Sequence, residues 1–290
     1  MKTVRKTAEL RRITRQAKRR GKRIGFVPTM GGLHEGHLSL IRRARRENDL
    51  VVVSLFVNPI QFSNPSDLKS YPRTPAKDRR LAAAAGCDLL FVPSAAEIYP
   101  PGFQTFVEVT ELTRRWEGKL RPGHFRGVTT VVAKLFNLVQ PEIAYFGQKD
   151  AQQAVVVGRM IRDLGFDVRL KVLPTVREPG GLAMSSRNAR LSPDERRAAN
   201  RLFESLQEGK RLIEWGLRRE NEILRRMRAV IRKAPGARVE YLAVVDPHSL
   251  EPLREIKGSA LLLAAAWVGK TRLIDGCLVK PKPRFPLTRE

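Results

Sequence analysis

The chain has 290 residues, 42 % of them apolar and 29 % charged, with 55 Lys and Arg against 29 Asp and Glu for a net charge of +26. That length and composition exclude a disordered or collagen-like chain and are enough for one or two domains with sizeable cores. The longest apolar runs, Leu50–Val53 with its continuation to Val57 and Ala260–Val268, are less than half of the ~20 residues that cross a bilayer, so no transmembrane helix is expected.

The first 23 residues hold eleven basic side chains and one acidic. Thr7–Arg20 can form a basic helix that runs through Gly21 into a buried-type strand, so this segment reads as part of the fold rather than a transit peptide or nucleic-acid arm. From Ile24 to Val176 short apolar runs alternate with helix-like stretches, the pattern of βαβ units and a mostly parallel sheet. The strands are predicted at Ile24–Val27, Leu50–Val57, Asp88–Val92, Ile143–Phe146 and Val168–Leu173, and the helices at Gly36–Glu47, Ala76–Ala85 and Asp150–Leu164. Gly86 and Gly165 stand just past two of these helices, where a left-handed closing residue is wanted. A further strand at Thr105–Val109 and a helix at Gly127–Leu138 interrupt the alternation.

After Ser185 a long amphipathic, Arg-rich stretch runs from Pro193 to Lys233. Strands at Val239–Val245, Ser259–Ala265 and Thr271–Ile274 then make a small sheet packed on those helices. The expected division is a parallel-sheet α/β domain over residues 1–183 and a smaller α+β domain over residues 184–290. The two cysteines, Cys87 and Cys277, stand in no metal or redox spacing and fit a reducing, cytoplasmic compartment.

Polar and glycine-rich clusters follow directly on several predicted strands. In an open parallel sheet the strand C-termini line one edge, where ligands bind, so these clusters are expected to converge. Pro28–His37 puts glycines in a turn and two histidines at i and i+3 where a helix starts. Glycines let backbone approach a phosphate, a helix N-terminus favours anions, and imidazoles can donate to phosphoryl oxygens. A zinc site is disfavoured, because His34-Glu35-Gly36-His37 is not a His-Glu-x-x-His pattern and no third ligand is evident. Asn58-Pro59-Ile60-Gln61 offers two amides suited to hydroxyls and carboxylates. Gly147-Gln148-Lys149-Asp150, with Gln152 and Gln153 beyond it, sets a compact cation beside a carboxylate at another helix start. Met184-Ser185-Ser186-Arg187-Asn188 is a hydroxyl-rich loop with a guanidinium, suited to a departing pyrophosphate.

Pro28–Leu40, Asn58–Phe62, Tyr71-Pro72-Arg73, Gly123–Val128, Phe146–Gln153, Leu182–Asn188 and Thr271–Asp275, taken in order, closely resemble the pantoate–β-alanine ligase family of the nucleotidylyltransferase superfamily. The resemblance spans both domains. It implies a Rossmann-like, doubly wound parallel-sheet domain followed by a smaller α+β lid domain. It also implies ATP-dependent condensation of pantoate with β-alanine through a pantoyl adenylate, with Mg²⁺ on the phosphates and no protein ligand for it readable. By this resemblance Met30, Gly31, Gly32, Leu33, His34, Glu35, Gly36 and His37 bind ATP, with His34 and His37 at the phosphates and His37 the proton donor. Gly147, Gln148, Lys149, Asp150, Val176, Met184, Ser185, Ser186 and Arg187 complete the ATP site, with Lys149, Ser185, Ser186 and Arg187 counted among the catalytic residues. Gln61 would contact both pantoate and β-alanine, and Gln153 pantoate. The Met184–Arg187 loop and the C-terminal domain are expected to close over the nucleotide, and a homodimer is implied.

Three positions depart from the family's usual pattern. Gly32 replaces a common Ala, Gly180 a common Asp, and Gly276 a usual Asn in what reads as a turn remote from chemistry. Two other functions use some of the same features. A nucleotidylyltransferase acting on a phosphorylated acceptor would share the His-x-Gly-His loop, but the amides Asn58, Gln61 and Gln153 suit an uncharged polyol carboxylate better. A nucleic-acid-binding protein would use the basic faces of Thr7–Arg23 and Arg218–Lys233, which without aromatic interleaving read as solvated surfaces, so nucleic acid is not an expected partner.

Overall fold

A computed structural model describes residues 1–281. The chain forms two compact units, one of Met1–Gln148 with Gln152–Val176, the other of Lys149–Ala151 with the chain from Arg177 onward. The division thus falls seven residues before the expected 183/184 boundary, and a three-residue segment after the fifth sheet strand goes with the second unit.

In the first unit the strands are β1 (Lys2–Val4), β2 (Ile24–Thr29), β3 (Leu50–Leu55), β4 (Leu89–Phe91), β5 (Ile143–Gly147) and β6 (Arg169–Leu173). The helices are α1 (Thr7–Arg19), α2 (Glu35–Glu47), α3 (Pro65–Lys69), α4 (Pro75–Ala84), α5 (Ala95–Ile98), α6 (Glu117–Leu120), α7 (His124–Val139) and α8 (Ala151–Asp163). The sheet order is β1-β4-β3-β2-β5-β6 and every pairing is parallel. Side-chain alternation explains the two covered faces. Ile24, Phe26 and Val52 join a core with Leu10 of α1 and Val132 and Phe136 of α7, while Val27, Val51 and Val53 join a second core with Leu40 and Ile41 of α2 and Ala82 of α4. Chain order runs outward from β2 through β3 to β4 and returns on its other side at β5. The crevice beside β2 and β5 is therefore the topological switch point.

Gly86 and Gly165 have φ of 96° and 63°, as their positions past α4 and α8 require. Thr105–Val109 is not a strand. The Val107 amide donates to Thr130 Oγ1 (3.0 Å) and its carbonyl accepts from Thr129 Oγ1 (2.6 Å), so the hydroxyls of α7 take the partners a sheet would have supplied. The pairing of β1 with β4 at the sheet edge was not foreseen, since three residues of which one is buried carry no periodic signal.

At the C-terminal end of α2, Glu47 accepts from Lys171, Tyr145 and Arg43. The Lys171 bond above all lowers its carboxyl from 4.5 to about 2. A depressed acid stabilises the fold fully above its unfolded value and ceases to do so as pH falls through the folded one. Acid unfolding is therefore expected to steepen between about pH 4.5 and 2. Glu47→Gln should flatten that limb of a urea-midpoint-against-pH curve and cost about 1–3 kcal/mol at neutral pH.

The second unit holds α9 (Pro193–Glu214), α10 (Glu220–Ile231), β7 (Ala237–Val245), β8 (Ala260–Val268) and β9 (Thr271–Val279), with the strands in an antiparallel sheet of that order. The Arg-rich stretch is two helices, because Gly216 with φ of 102° ends the first. Leu202, Leu206 and Ile213 of α9 and Ile223 and Met227 of α10 pack on Leu262 and Ala264 of β8. Much of the basic surface of α9 is ion-paired along the helix: Asp194 with Arg197, Glu204 with Arg201, Glu208 with Arg211 and Glu214 with Lys210. That is the arrangement of a solvated face.

Gly276 lies within β9 rather than in a turn. A Cβ there would stand 3.2 Å from Ala151 Cβ, so the position is tight and adjoins the Lys149–Ala151 segment, not remote from it.

Candidate active site

In the first unit the loop after β2 is set by its own hydrogen bonds. The Thr29 hydroxyl donates to the Ser54 carbonyl on β3 (2.7 Å) and accepts from the Gly31 amide (3.2 Å). Gly31 and Gly32 have φ of 85° and 61°. An L side chain in that left-handed region costs roughly 1–2 kcal/mol, so Gly32 suits the conformation better than the usual alanine. Asp78, buried on α4, accepts from the amides of Gly32 (3.0 Å) and Leu33 (2.8 Å).

His34 caps α2, and its amide donates to His37 Nδ1 at 3.4 Å, with the two rings 4.1 Å apart between centroids. An amide directed at Nδ1 leaves the proton of the neutral ring on Nε2. His37 is thereby a donor through Nε2. Glu35 is exposed on α2 and pairs with Arg42, while Met30 and Gly36 are half-buried.

After β3, Pro59–Gln61 make one turn of 3₁₀ helix. Asn58 is buried and its amide orientation is determined by its neighbours. The Gly127 carbonyl can only accept, so Asn58 Nδ2 faces it at 3.0 Å and gives its other hydrogen to Gln61 Oε1 at 3.0 Å, while Asn58 Oδ1 accepts from the Tyr99 hydroxyl at 2.8 Å. Gln61 Nε2 then points to Met30 Sδ at 2.9 Å. Among the described residues the second amide hydrogen and second lone pair of Gln61 have no partner. His124 holds the same residue by its backbone. Arg121 can only donate to His124 Nε2 (3.2 Å), so Nδ1 carries the proton given to the Gln61 carbonyl (2.8 Å). Burial pushes the Tyr99 phenol well above its ordinary value, keeping it neutral as a donor.

The residues expected in the site of the first unit thus meet in part at one sheet edge: the loop after β2 and the turn after β3 touch through Met30 and Gln61. Gly147 ends β5 and Gln148 follows it, both half-buried, and Gln153 is half-buried in the first turn of α8. Val176, half-buried, closes the unit. Tyr99, His124 and Asp78 support this site without having been assigned a part in it. His124 lies in a motif that the resemblance covers, but nothing in the chain order connects Asp78 with Leu33, 45 residues earlier.

In the second unit Lys149 Nζ stands 3.5 Å from Asp150 Oδ1. Ser185 caps the short helix Ser186–Arg190, its hydroxyl accepting from the Arg187 amide at 3.2 Å. Met184, Ser185, Ser186 and Arg187 are half-buried, and the buried Asn188 anchors them through the Ala183 carbonyl (3.0 Å) and Glu178 (2.8 Å). Arg177 pairs with the buried Asp275 (2.6 Å), donates to the Gly181 carbonyl (3.0 Å) and lies over the Phe203 ring at 4.0 Å. Desolvation raises the Asp275 carboxyl in spite of that guanidinium. Gly180 and Gly181, with φ of 94° and 98°, make the turn that Arg177 holds. A Cβ at 180 would meet Asn200 Nδ2 at 2.5 Å. Gly180→Asp, which restores the usual residue, is therefore expected to lower stability by about 1–3 kcal/mol in thermal unfolding.

Among the described residues no cluster of three or more His, Cys, Asp or Glu side chains could hold a metal ion, and no helix is long and apolar enough to cross a membrane. Cys87 and Cys277 are free thiols, with burial pushing Cys87 up to about 12.

Residues 2–278 match the family described as Pantoate-beta-alanine ligase. A pantothenate synthetase of Moorella thermoacetica is 51 % identical over 280 residues, 97 % of this chain and 99 % of that one. Among solved structures, a pantothenate synthetase of Thermus thermophilus is 49 % identical with a TM-score of 0.91, over 97 % of this chain and 100 % of that one. A pantoate-beta-alanine ligase of Francisella tularensis, complexed with beta-gamma ATP and beta-alanine, is 35 % identical with a TM-score of 0.79, over 96 % and 97 % of the two chains. The chain belongs to the pantoate–β-alanine ligase family.

Proposed function

We propose that the protein joins (R)-pantoate to β-alanine, with ATP as co-substrate, by way of an enzyme-bound pantoyl adenylate. A pantoate carboxylate oxygen bonds to the α-phosphorus as the bond to pyrophosphate breaks. The β-alanine amine then attacks the acyl carbon, and AMP leaves with the bridging oxygen. The observation that carries this reading is the Gln61 amide, held by Asn58 and His124 and in contact with Met30 of the glycine-rich loop. It sets an amide that can donate to a carboxylate and accept from a hydroxyl next to a nucleotide-type loop. Holding both reactants in one orientation is a large part of what such a reaction needs.

His37 Nε2–H and His34 meet negative charge on the phosphates, and Lys149, Ser185, Ser186 and Arg187 are the donors proposed for the departing pyrophosphate. Gly147, Gln148, Asp150, Val176 and Met184 belong to the ATP-binding set, and Gln153 binds pantoate with Gln61. Mg²⁺ comes with the triphosphate, as the charge-neutralising part of that substrate. The free thiols support a reducing, cytoplasmic compartment. A homodimer through the first unit is part of the same reading, and light scattering should then give twice the 32.8 kDa chain mass.

Pyrophosphate release from ATP tests the assignment. It should require pantoate, and AMP and pantothenate should accumulate only when β-alanine is added. Release that ignores pantoate but follows a phosphorylated acceptor would make the protein a nucleotidylyltransferase of another kind.

A further inference from the structure

Glycines at the end of a parallel strand, opening a helix, suggest a loop whose amides bind phosphate directly. In this loop those amides are already engaged. Gly31 donates to Thr29 Oγ1, Gly32 and Leu33 to the two carboxylate oxygens of Asp78, and His34 to His37 Nδ1. Asp78 is 2 % exposed and takes a third hydrogen bond from the Thr74 hydroxyl at 3.1 Å. A buried carboxylate is stabilised only by such a set of donors, and each charge-assisted bond to it is stronger than a neutral one. The position of Gly31 is matched to it as well, since a Cβ there would stand 3.1 Å from Asp78 Oδ2.

We infer that Asp78 is a positioning residue for the nucleotide step: its carboxylate holds Gly32 and Leu33 in place, so that the loop presents the His34 and His37 imidazoles instead of its own amides to the triphosphate. The glycines then serve the left-handed turn and the close approach of Asp78. The phosphate charge falls to side chains and to the amides inside α2. This inference rests on the proposed ATP-dependent reaction and adds to it a residue that contacts no substrate.

The test uses the full-length enzyme. Asp78→Asn keeps the volume but turns an amide NH₂ toward one of the two loop N–H groups, losing one anchor, and Asp78→Ala loses both. Pantoate-dependent exchange of pyrophosphate into ATP should fall about 10- to 100-fold in kcat/KM for ATP with Asp78→Asn, on the scale of one charge-assisted bond. The KM for β-alanine in the second step should stay as it is, a split that general loss of structure would not give. Asp78→Glu, which restores the charge, should recover part of the exchange activity. A measurement on the unaltered protein does not depend on variant folding. Without nucleotide, the Gly32 and Leu33 amides should already be protected from hydrogen exchange, and ATP should add little. Amides that exchange freely until ATP binds, or an Asp78→Asn enzyme with unchanged kcat/KM for ATP, would overturn the inference. Protected amides in a protein with no pantoate-dependent pyrophosphate release would instead overturn the proposed function and leave the anchoring in place.

Discussion

His37→Ala is expected to remain folded and to lose about 10²- to 10⁴-fold in pantoate-dependent pyrophosphate release, the range over which a positioned proton donor acts. On the proposed reading the ring has two tasks, since Nδ1 also accepts from the His34 amide at the start of α2. His37→Asn separates them. An asparagine oxygen can take over the acceptor position of Nδ1, but no donor reaches where Nε2–H stood, so this variant should keep the stability of the parent while remaining as slow as alanine. Lys149→Ala should cost about 10²- to 10³-fold in the same assay, as does the removal of one preorganised donor from a developing anion. Circular dichroism and a pyrophosphate-coupled assay check all three. A His37→Asn or Lys149→Ala enzyme with near-normal release would remove that residue from the reaction.

Gly127→Ala is the second change with a large expected effect. A Cβ on this first-turn residue of α7 would stand 2.6 Å from Gln61 Cα and 2.6 Å from the Ile60 carbonyl oxygen. Both are backbone atoms, so no side-chain rotation relieves the contact, and the Pro59–Gln61 turn must move. The same shift stretches the Asn58 Nδ2 bond to the Gly127 carbonyl and the His124 bond to the Gln61 carbonyl. Overpacking of this kind costs about 1–3 kcal/mol in stability. The larger loss should be functional, with kcat/KM for pantoate down about 10²-fold or more, because a displacement near 1 Å is enough to spoil a reactive geometry. The KM for ATP should change far less than that for pantoate, since the loop after β2 keeps its own anchors. An equal rise in KM for both substrates would mean that Gly127 supports the whole unit and not the Gln61 turn.

Much of the first unit was legible because each of its inner strands is a short apolar run followed by a helix of 3.6-residue period, and burial on both faces leaves little choice of architecture. Ile24–Thr29 and Leu50–Leu55 are of that kind. The strand predicted at Thr105–Val109 failed because β-prone Phe106, Val107 and Val109 read the same whether a sheet or the hydroxyls of Thr129 and Thr130 receive the backbone. Gly276 was misplaced because glycine marks turns more often than close contacts inside a strand. At the site, the clusters after β2 and β3 were legible by position, since both follow neighbouring strands of one parallel sheet and so share its C-terminal edge. Asp78 was not. Its carboxylate reaches the loop only because α4 packs beside α2, and no local pattern encodes a contact made by tertiary packing.

The most direct measurement follows a heavy-oxygen label from the carboxylate of pantoate through one turnover with ATP and β-alanine. Attack of that carboxylate on the α-phosphorus, followed by loss of the bridging oxygen to AMP, should leave one labelled oxygen in AMP and none in pyrophosphate. Unlabelled AMP, or label in inorganic phosphate released with ADP, would contradict an adenylate intermediate.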